Sequence, residues 1–314
     1  MPGQVWQEVT LGGYFANPRL SRQLRYSAIP LMKFRQFAKV FAEVGKNKGD
    51  KLEFLKISRI ATAGGPISES ARIPETNFTI KKDYITVTEY GNSIPYTGKL
   101  EALSEFDVTN PIQRVLRDDM ALTLDKACGD AFKSAKVIYT PTSTGYYLTT
   151  NGTPGGVADV NLRVSDVKNI IDWFRSNNIP PYDGTDYICI ASVKALRGIM
   201  DDSNWVEASK YGDPERLFAG EVGRIYQCRF ILETNVLSNA VGQNGVLGEA
   251  IFFGEDAVAE GIVIPAELRA KIPDDYGRSK GIAWYYLGGF KKIWDYETDG
   301  EEHIIYVTSA VPEE

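Results

Sequence analysis

The stretch ISESARIPETNFTIKKDYITVTEYG (67–91) constrains the fold more than any other part of this 314-residue chain. Threonine, tyrosine, isoleucine and valine at alternate positions, bounded by Gly and Pro, mark β-strand. Its charges, Glu69, Arg72, Glu75, Lys81, Lys82, Asp83 and Glu89, are too many for a strand buried on both faces. Together with KLEFLKISRI (51–60) and the turn-rich ATAGGP after it, the segment predicts one hairpin over 51–95. Legs of about 20 residues reach up to roughly 65 Å at ~3.3 Å per residue. A compact chain of this length has a radius of gyration of only about 20 Å. Isolated hairpins are marginally stable, so an arm that projects from the body expects a neighbour, and its charges resist random edge pairing. Phe78 and Ile80 share one parity and Ile85 and Val87 the other, which predicts a bulge or kink at Lys81–Asp83.

The rest of the chain reads as an α+β body. Leu31, Phe34, Phe37, Ala38, Phe41 and Val44 recur at three- and four-residue steps and predict a short helix ending near Gly45. A long helix is expected over about 110–138, with Asn110 as N-cap and Pro111 in the first turn. Its apolar stripe is Ile112, Val115, Leu116, Met120, Leu124, Ala127, Ala131 and Ala135, with Arg114, Arg117, Asp118 and Asp125 away from it. At 1.5 Å per residue it spans roughly 35 to 40 Å. Residues 140–163 are rich in turn formers and predict a surface loop or hairpin. After them VSDVKNIIDWFRSNN reads as a helix capped by Ser165, YICIA as a buried strand and SVKALRGIMDD as a helix. CRFILETNVL and AIFFG read as further strands, and GIAWYYLGGFKKIWDY and HIIYVTSA as two strands of one antiparallel sheet.

Chemistry is harder to find. The single histidine, His303, lies in an apparent strand, no GxSxG is present, and Cys189 sits in an apolar run, so His303 reads as structural or solvent-facing. Gly98-Lys99 lacks the glycine five residues earlier that a phosphate loop needs, and GQNGVLGEA (242–250) departs from the dinucleotide fingerprint and reads as a flexible turn. The pairs Asp201-Asp202, Asp274-Asp275 and Glu301-Glu302 lack the spacing of a calcium loop and read as solvated loop ends. Cys128, Cys189 and Cys228 are odd in number and far apart, as buried free thiols are.

Net charge is −6, unevenly spread: residues 1–50 carry +5, including Arg19, Arg22 and Arg25, so the remainder carries −11. A basic end on an acidic body suits nucleic-acid phosphates, the acidic surface of a neighbouring copy, or simple solvation. Overall acidity argues against a dedicated sequence-specific nucleic-acid binder. No basic n-region with an apolar run opens the chain, and no apolar stretch approaches the roughly 20 residues that cross a bilayer, so a soluble protein made in a cytoplasm is expected.

The order of basic arm, long hairpin, long helix, α/β lobe and closing strands resembles the major capsid proteins of tailed bacteriophages with the Hong Kong 97 type of capsid fold, in particular the podovirus-type subfamily. The segments that carry the resemblance are SAIPLMKFRQF, NKGDKLEFLKISRI, PISESARIPETNFTIKKDYITVTEYGNSIPYT, DPERLFAGEVGRIYQCRFILETN and GIAWYYLGGFKKIWDYE, from about Ser27 to Thr308. The resemblance implies an N-terminal arm and short helix (1–47), an extended β-hairpin loop (48–96), a peripheral domain (97–164 and 266–314, with the spine helix and closing strands) and an axial domain (165–265). It implies an icosahedral shell of hexamers and pentamers enclosing double-stranded DNA, assembled in the host cytoplasm, with no catalysis, cofactor, metal or membrane. Contacts between subunits are then expected at Glu69, Arg72, Glu75, Lys81, Lys82, Asp83 and Glu89 of the hairpin and at Arg19, Arg22 and Arg25 of the arm.

A portal protein and decoration proteins are further implied partners. Because the chain begins close to the arm, a separate scaffolding protein is implied as well. Side-chain cross-linking through Lys81 or Lys82 has no asparagine or carboxylate to mark it. The alternatives are an encapsulin-like bacterial nanocompartment shell, which shares the fold, and a β-rich hydrolase.

Overall fold

The computed structural model describes residues 26–41, 49–57, 64–69, 72–73, 75–104, 107–202 and 221–310. Two sheets and one long helix form its frame. A seven-stranded sheet is built from β5 (Val137–Thr142), β6 (Gly145–Thr149), β7 (Tyr187–Ala191), β8 (Glu221–Ile225), β9 (Cys228–Leu232), β10 (Ala250–Phe253) and β13 (Ile304–Val307), in the order β6-β5-β13-β10-β7-β9-β8. A four-stranded sheet runs β1-β11-β12-β4, from β1 (Lys39–Phe41), β4 (Thr88–Thr97), β11 (Val258–Ala270) and β12 (Ser279–Lys292). Apart from both, β2 (Lys51–Ile57) and β3 (Ile80–Thr86) form a two-stranded ribbon.

Helix α2 (Thr109–Lys133) is the spine that joins the two sheets; a short helix α1 (Gly98–Leu103) precedes it. Its 25 residues span about 37 Å at 1.5 Å per residue. Ile112, Leu116 and Leu124 in its first two thirds bury against Tyr96, Ile282, Trp284 and Tyr286 of the four-stranded sheet. Cys128 and Phe132 near its end bury against Ile188, Ile190, Ile251 and Phe253 of the seven-stranded sheet. The alternate residues of those strands, Cys189, Ala191, Ala250 and Phe252, face helices α3 (Val164–Ser176) and α4 (Val193–Met200) on the other side. The seven-stranded sheet is therefore covered on both faces, which is why YICIA and AIFF are continuous apolar runs.

Several local expectations are corrected by tertiary contacts. The 31–44 periodicity gives only a 3-10 turn, Arg35–Phe37, before the chain extends into β1, parallel to β11. Phe34, fully buried against Phe132, fixes the turn, and Asp125 accepts from the backbone N–H groups of Phe34 (2.8 Å) and Arg35 (3.2 Å). Asp125 is thus buried rather than solvent-facing, while Val115 of the expected stripe is exposed. The spine helix begins at Thr109, whose N–H bonds Asp107, so Asp107 supplies the capping carboxylate instead of Asn110. Helix α3 is closed at its start by Asp166, which accepts from Arg163 N at 2.9 Å, and Ser165 lies inside the helix.

A hairpin does form, from β5 and β6, so only the first part of 140–163 belongs to it, and β5 is buried along its whole length. The last two strands fall in different sheets, β12 beside β11 and β4, and β13 between β5 and β10. A division at 164/165 consequently cuts across the seven-stranded sheet, because β13 pairs with β10 of 165–265 and β5 and β6 extend the same sheet beyond β13.

Candidate assembly interface

The ribbon β2–β3 is the projecting hairpin of the sequence, shortened. Seven residue pairs, from Lys51↔Thr86 to Ile57↔Ile80, give it a paired length of about 23 Å at ~3.3 Å per residue, and the second leg leaves through Val87 to join the four-stranded sheet as β4. The pairing runs through Lys81, Lys82 and Asp83 without a register shift, so the expected bulge is absent. The parity change has another cause: apolar residues stand on the outward face of this ribbon among the charged Lys51, Glu53 and Lys82, and the charged Lys56, Lys81 and Asp83 stand on the inward face. Leu55 (64% exposed), Ile57 (63%) and Ile80 (52%) face out with Tyr84, while Leu52, Lys56 (5%) and Ile85 face the body.

Two kinds of contact seat the ribbon. Near its root, Leu52 and Ile85 pack on Ala259 and Ile293, with Phe54 stacked on Phe41 at 5.7 Å. Two glycines allow that approach: a Cβ on Gly261 would lie 2.3 Å from Leu52 Cδ1, and one on Gly289 2.2 Å from the Thr86 carbonyl oxygen. Further out, Lys56 Nζ lies 2.9 Å from Asp83 and 2.7 Å from Asp299 of the short helix α5 (Tyr296–Asp299). Asp83 also pairs with Lys291, and Asp299 with Lys81 at 3.4 Å; Lys81 donates as well to the Thr298 carbonyl. Behind them Lys292 bridges Asp295 (2.8 Å) and Glu302 (3.2 Å).

Burial opposes the charges of Asp83, Lys56 and Glu302, and the partners decide the outcome. Burial would raise the Asp83 carboxyl, but hydrogen bonds from Lys291 and Lys56 outweigh it and hold the group below the usual carboxylate range. Burial would lower the Lys56 ammonium, and its bonds to Asp299 and Asp83 instead hold it above the usual lysine value. At Glu302 burial wins and pushes the carboxyl up to about 7 despite Lys292.

The sequence-predicted contact residues divide accordingly. Lys81 and Asp83 are engaged within the chain. Lys82 pairs across the ribbon with Glu53, and Glu89 accepts from the Tyr285 hydroxyl. Glu69, Arg72 and Glu75 are exposed, the last two paired with each other. Arg19, Arg22 and Arg25 lie outside the described residues. Sequence reasoning missed Leu55, Ile57 and Ile80 as the outward face and Lys56 as the buried cation. The alternation in KLEFLKI holds both facts, but only Asp299, 243 positions away, tells which side Lys56 takes.

A second exposed apolar pair, Ile272 and Tyr276, sits on the turn of the β11–β12 hairpin, where Asp275 and Tyr276 have φ of 51° and 52°. His303 is buried, stacked on Trp294, and bonded to Glu301 and to the Glu255 carbonyl, which uses both ring nitrogens. The three cysteines are free and buried. Among the described residues no group of His, Cys, Asp and Glu is placed to hold a metal ion, and no helix is long and apolar enough to cross a membrane.

No family model matches the chain, and a search of curated proteins by similarity returns no significant match. Solved structures do match it along nearly its whole length. The capsid of Helicobacter pylori bacteriophage KHP30 superposes with a TM-score of 0.68 at 12% identity, covering 95% of this chain and 98% of that one. The capsid of cyanophage Pam1 gives 0.67 at 14% identity, covering 93% and 97%. That of Ralstonia phage GP4 gives 0.64 at 17% identity, covering 98% of each. The fold is that of the tailed-phage capsid proteins, the Hong Kong 97 type.

Proposed function

We propose that the chain is a major capsid protein, a coat subunit that assembles with copies of itself into the icosahedral head of a tailed phage, around double-stranded DNA. The observation that carries this reading is the agreement of fold across more than nine tenths of both chains with phage capsid structures. Its work is burial of surface between copies rather than bond-making. The outward face of Leu55, Ile57 and Ile80 supports it, since exposed apolar patches on otherwise polar proteins mark interaction sites.

In this reading residues 48–96 overlap the adjacent subunit. The β4-β12-β11-β1 sheet with the spine forms the peripheral part, and the seven-stranded sheet with α3 and α4 the axial part. Hexamers and pentamers close the shell, assembled in the host cytoplasm and ending in the virion. Exposed Glu69, Arg72, Glu75 and Lys82 supply charged contacts at the hairpin. Arg19, Arg22 and Arg25 meet an acidic neighbouring surface or packaged phosphates without sequence preference. A scaffolding protein, a portal protein and decoration proteins are the expected partners of such a shell.

Deleting residues 62–80 tests the reading. The expected product is a folded, soluble subunit that forms no shells; normal shells from this deletion contradict the role given to the hairpin. Nucleic acid inside the wild-type particles separates a phage head from a nanocompartment, which would hold protein cargo.

A further inference from the structure

At the root of the ribbon Asp50 and Val87 are tied to each other by the Val87 N–H to Asp50 carbonyl bond at 3.0 Å. Of the ribbon's apolar contacts, Leu52 and Ile85 lie two residue steps from the Asp50–Val87 line and resist rotation about it poorly, because their lever arm is short; the stack of Phe54 on Phe41 lies four steps out, level with Asp83. Asp83 lies four residue steps out from the line and Lys56 and Lys81 six, about 13 to 20 Å at ~3.3 Å per residue. Contacts placed there have the leverage to fix the ribbon's angle.

We propose that the charge cluster where the ribbon meets the β12–β13 connection is an ionic latch that sets the hairpin's angle in the free subunit, so that Leu55, Ile57 and Ile80 are held outward for the next copy. The inference rests on the coat-subunit reading for its purpose, and on the geometry of a single chain for its mechanism.

The receiving side is built to hold still. Asp299 accepts from Asp295 N–H at 3.2 Å and donates its own N–H to the Asp295 carbonyl at 2.8 Å, which closes α5 on itself. Glu302 accepts from Tyr296 N–H at 3.1 Å and from Lys292, anchoring the same connection from below. Lys56 then reaches across from the ribbon to Asp299 while also bonding Asp83 of the paired strand, so one buried ammonium ties both strands to the body. Lys291 and Lys81 complete the two carboxylates from opposite sides.

The cleft between ribbon and body, about 240 Å³, is lined by five lysines, 56, 81, 82, 291 and 292, against aspartates 83, 295 and 299. Ion pairs suit a latch better than close packing does. They hold at one angle, and unlike a packed apolar core they release without leaving a dry void.

Hydrogen exchange of the full chain in its unassembled form tests the latch. Asp299→Asn keeps the side chain's shape and removes its charge from Lys56 and Lys81. Amides of 51–57 and 80–86 are expected to exchange at least tenfold faster in it, with those of 88–97 and 258–292 unchanged. Lys82→Gln, which breaks only the outer pair with Glu53, is the control and is expected to leave the ribbon as in the wild type. Should Asp299→Asn fail to fold, Lys291→Gln takes one partner from Asp83 and is read on the same amides. A ribbon that exchanges within twofold of wild type in the Asp variant, or a loosening that spreads equally through β4, β11 and β12, overturns the proposal. Shell formation by the wild-type chain is scored separately under the microscope. Its absence contradicts the coat-subunit reading and leaves the exchange result to decide the latch.

Discussion

Replacing Lys56 by methionine isolates the electrostatic part of the hairpin's attachment. The ammonium lies within 3 Å of Asp83 and Asp299 and its side chain is almost wholly buried. Removing one member of a buried ion pair costs roughly 3–5 kcal/mol, because a charge is left without its partner. Here Asp83 keeps Lys291 and Asp299 keeps Lys81, and methionine retains the apolar stem that packs beside Phe54 and Trp294, so the expected loss is about 2–3 kcal/mol. Urea unfolding of the unassembled chain reads it, with Trp294 as a fluorescent reporter within the cluster.

The sign of the pH dependence follows from the same contacts. Asp83 is held below its usual value, so its contribution is complete above about pH 4 and is lost as pH falls through its folded pKa. Lys56 is held above its usual value, so its contribution is complete at neutral pH and is lost only in strong base. The gap between wild type and Lys56→Met is therefore expected to be flat from pH 5 to 8 and to narrow in acid as Asp83 protonates. A gap below about 1 kcal/mol at pH 7, the most that exposed pairs typically contribute, refutes the reasoning.

Glu302, buried and pushed up to about 7, binds its proton more tightly folded than unfolded, so stability is expected to fall as pH rises from about 4.5 through 7. The full span is about 3 kcal/mol, and Glu302→Gln removes that slope in denaturation curves taken across the range. Gly289→Ala drives a methyl into the Thr86 carbonyl, so the ribbon root must shift, with an expected loss of about 1–3 kcal/mol in thermal unfolding and faster exchange of β3.

The parts of the fold that were legible are those whose causes are local. The spine helix announces itself by a stripe of spaced apolar residues and a proline in its first turn, and the buried strands β7 and β10 by short apolar runs. Strand β11 was not legible, because its register slips between Ile262 and Glu267 break the alternation, and Pro265 argues against a central strand until it is placed at that irregularity. The turn at Phe34 was hidden for a related reason: its backbone N–H partner, Asp125, is some 90 residues away.

At the hairpin, the sequence marks a polar ribbon that projects and a change of parity at Lys81–Asp83. It cannot say that the charges turn inward, because that depends on Asp299 and Lys291. The contact face is consequently more apolar than the charge pattern suggests, with Leu55, Ile57 and Ile80 outward and Lys56 hidden.

Electron microscopy of the purified wild-type chain tests the central claim most directly. Closed shells of tens of nanometres, built of hexamers and pentamers with nucleic acid inside those recovered from infected cells, are expected. A small discrete oligomer under all assembly conditions, with no shells, would contradict the account.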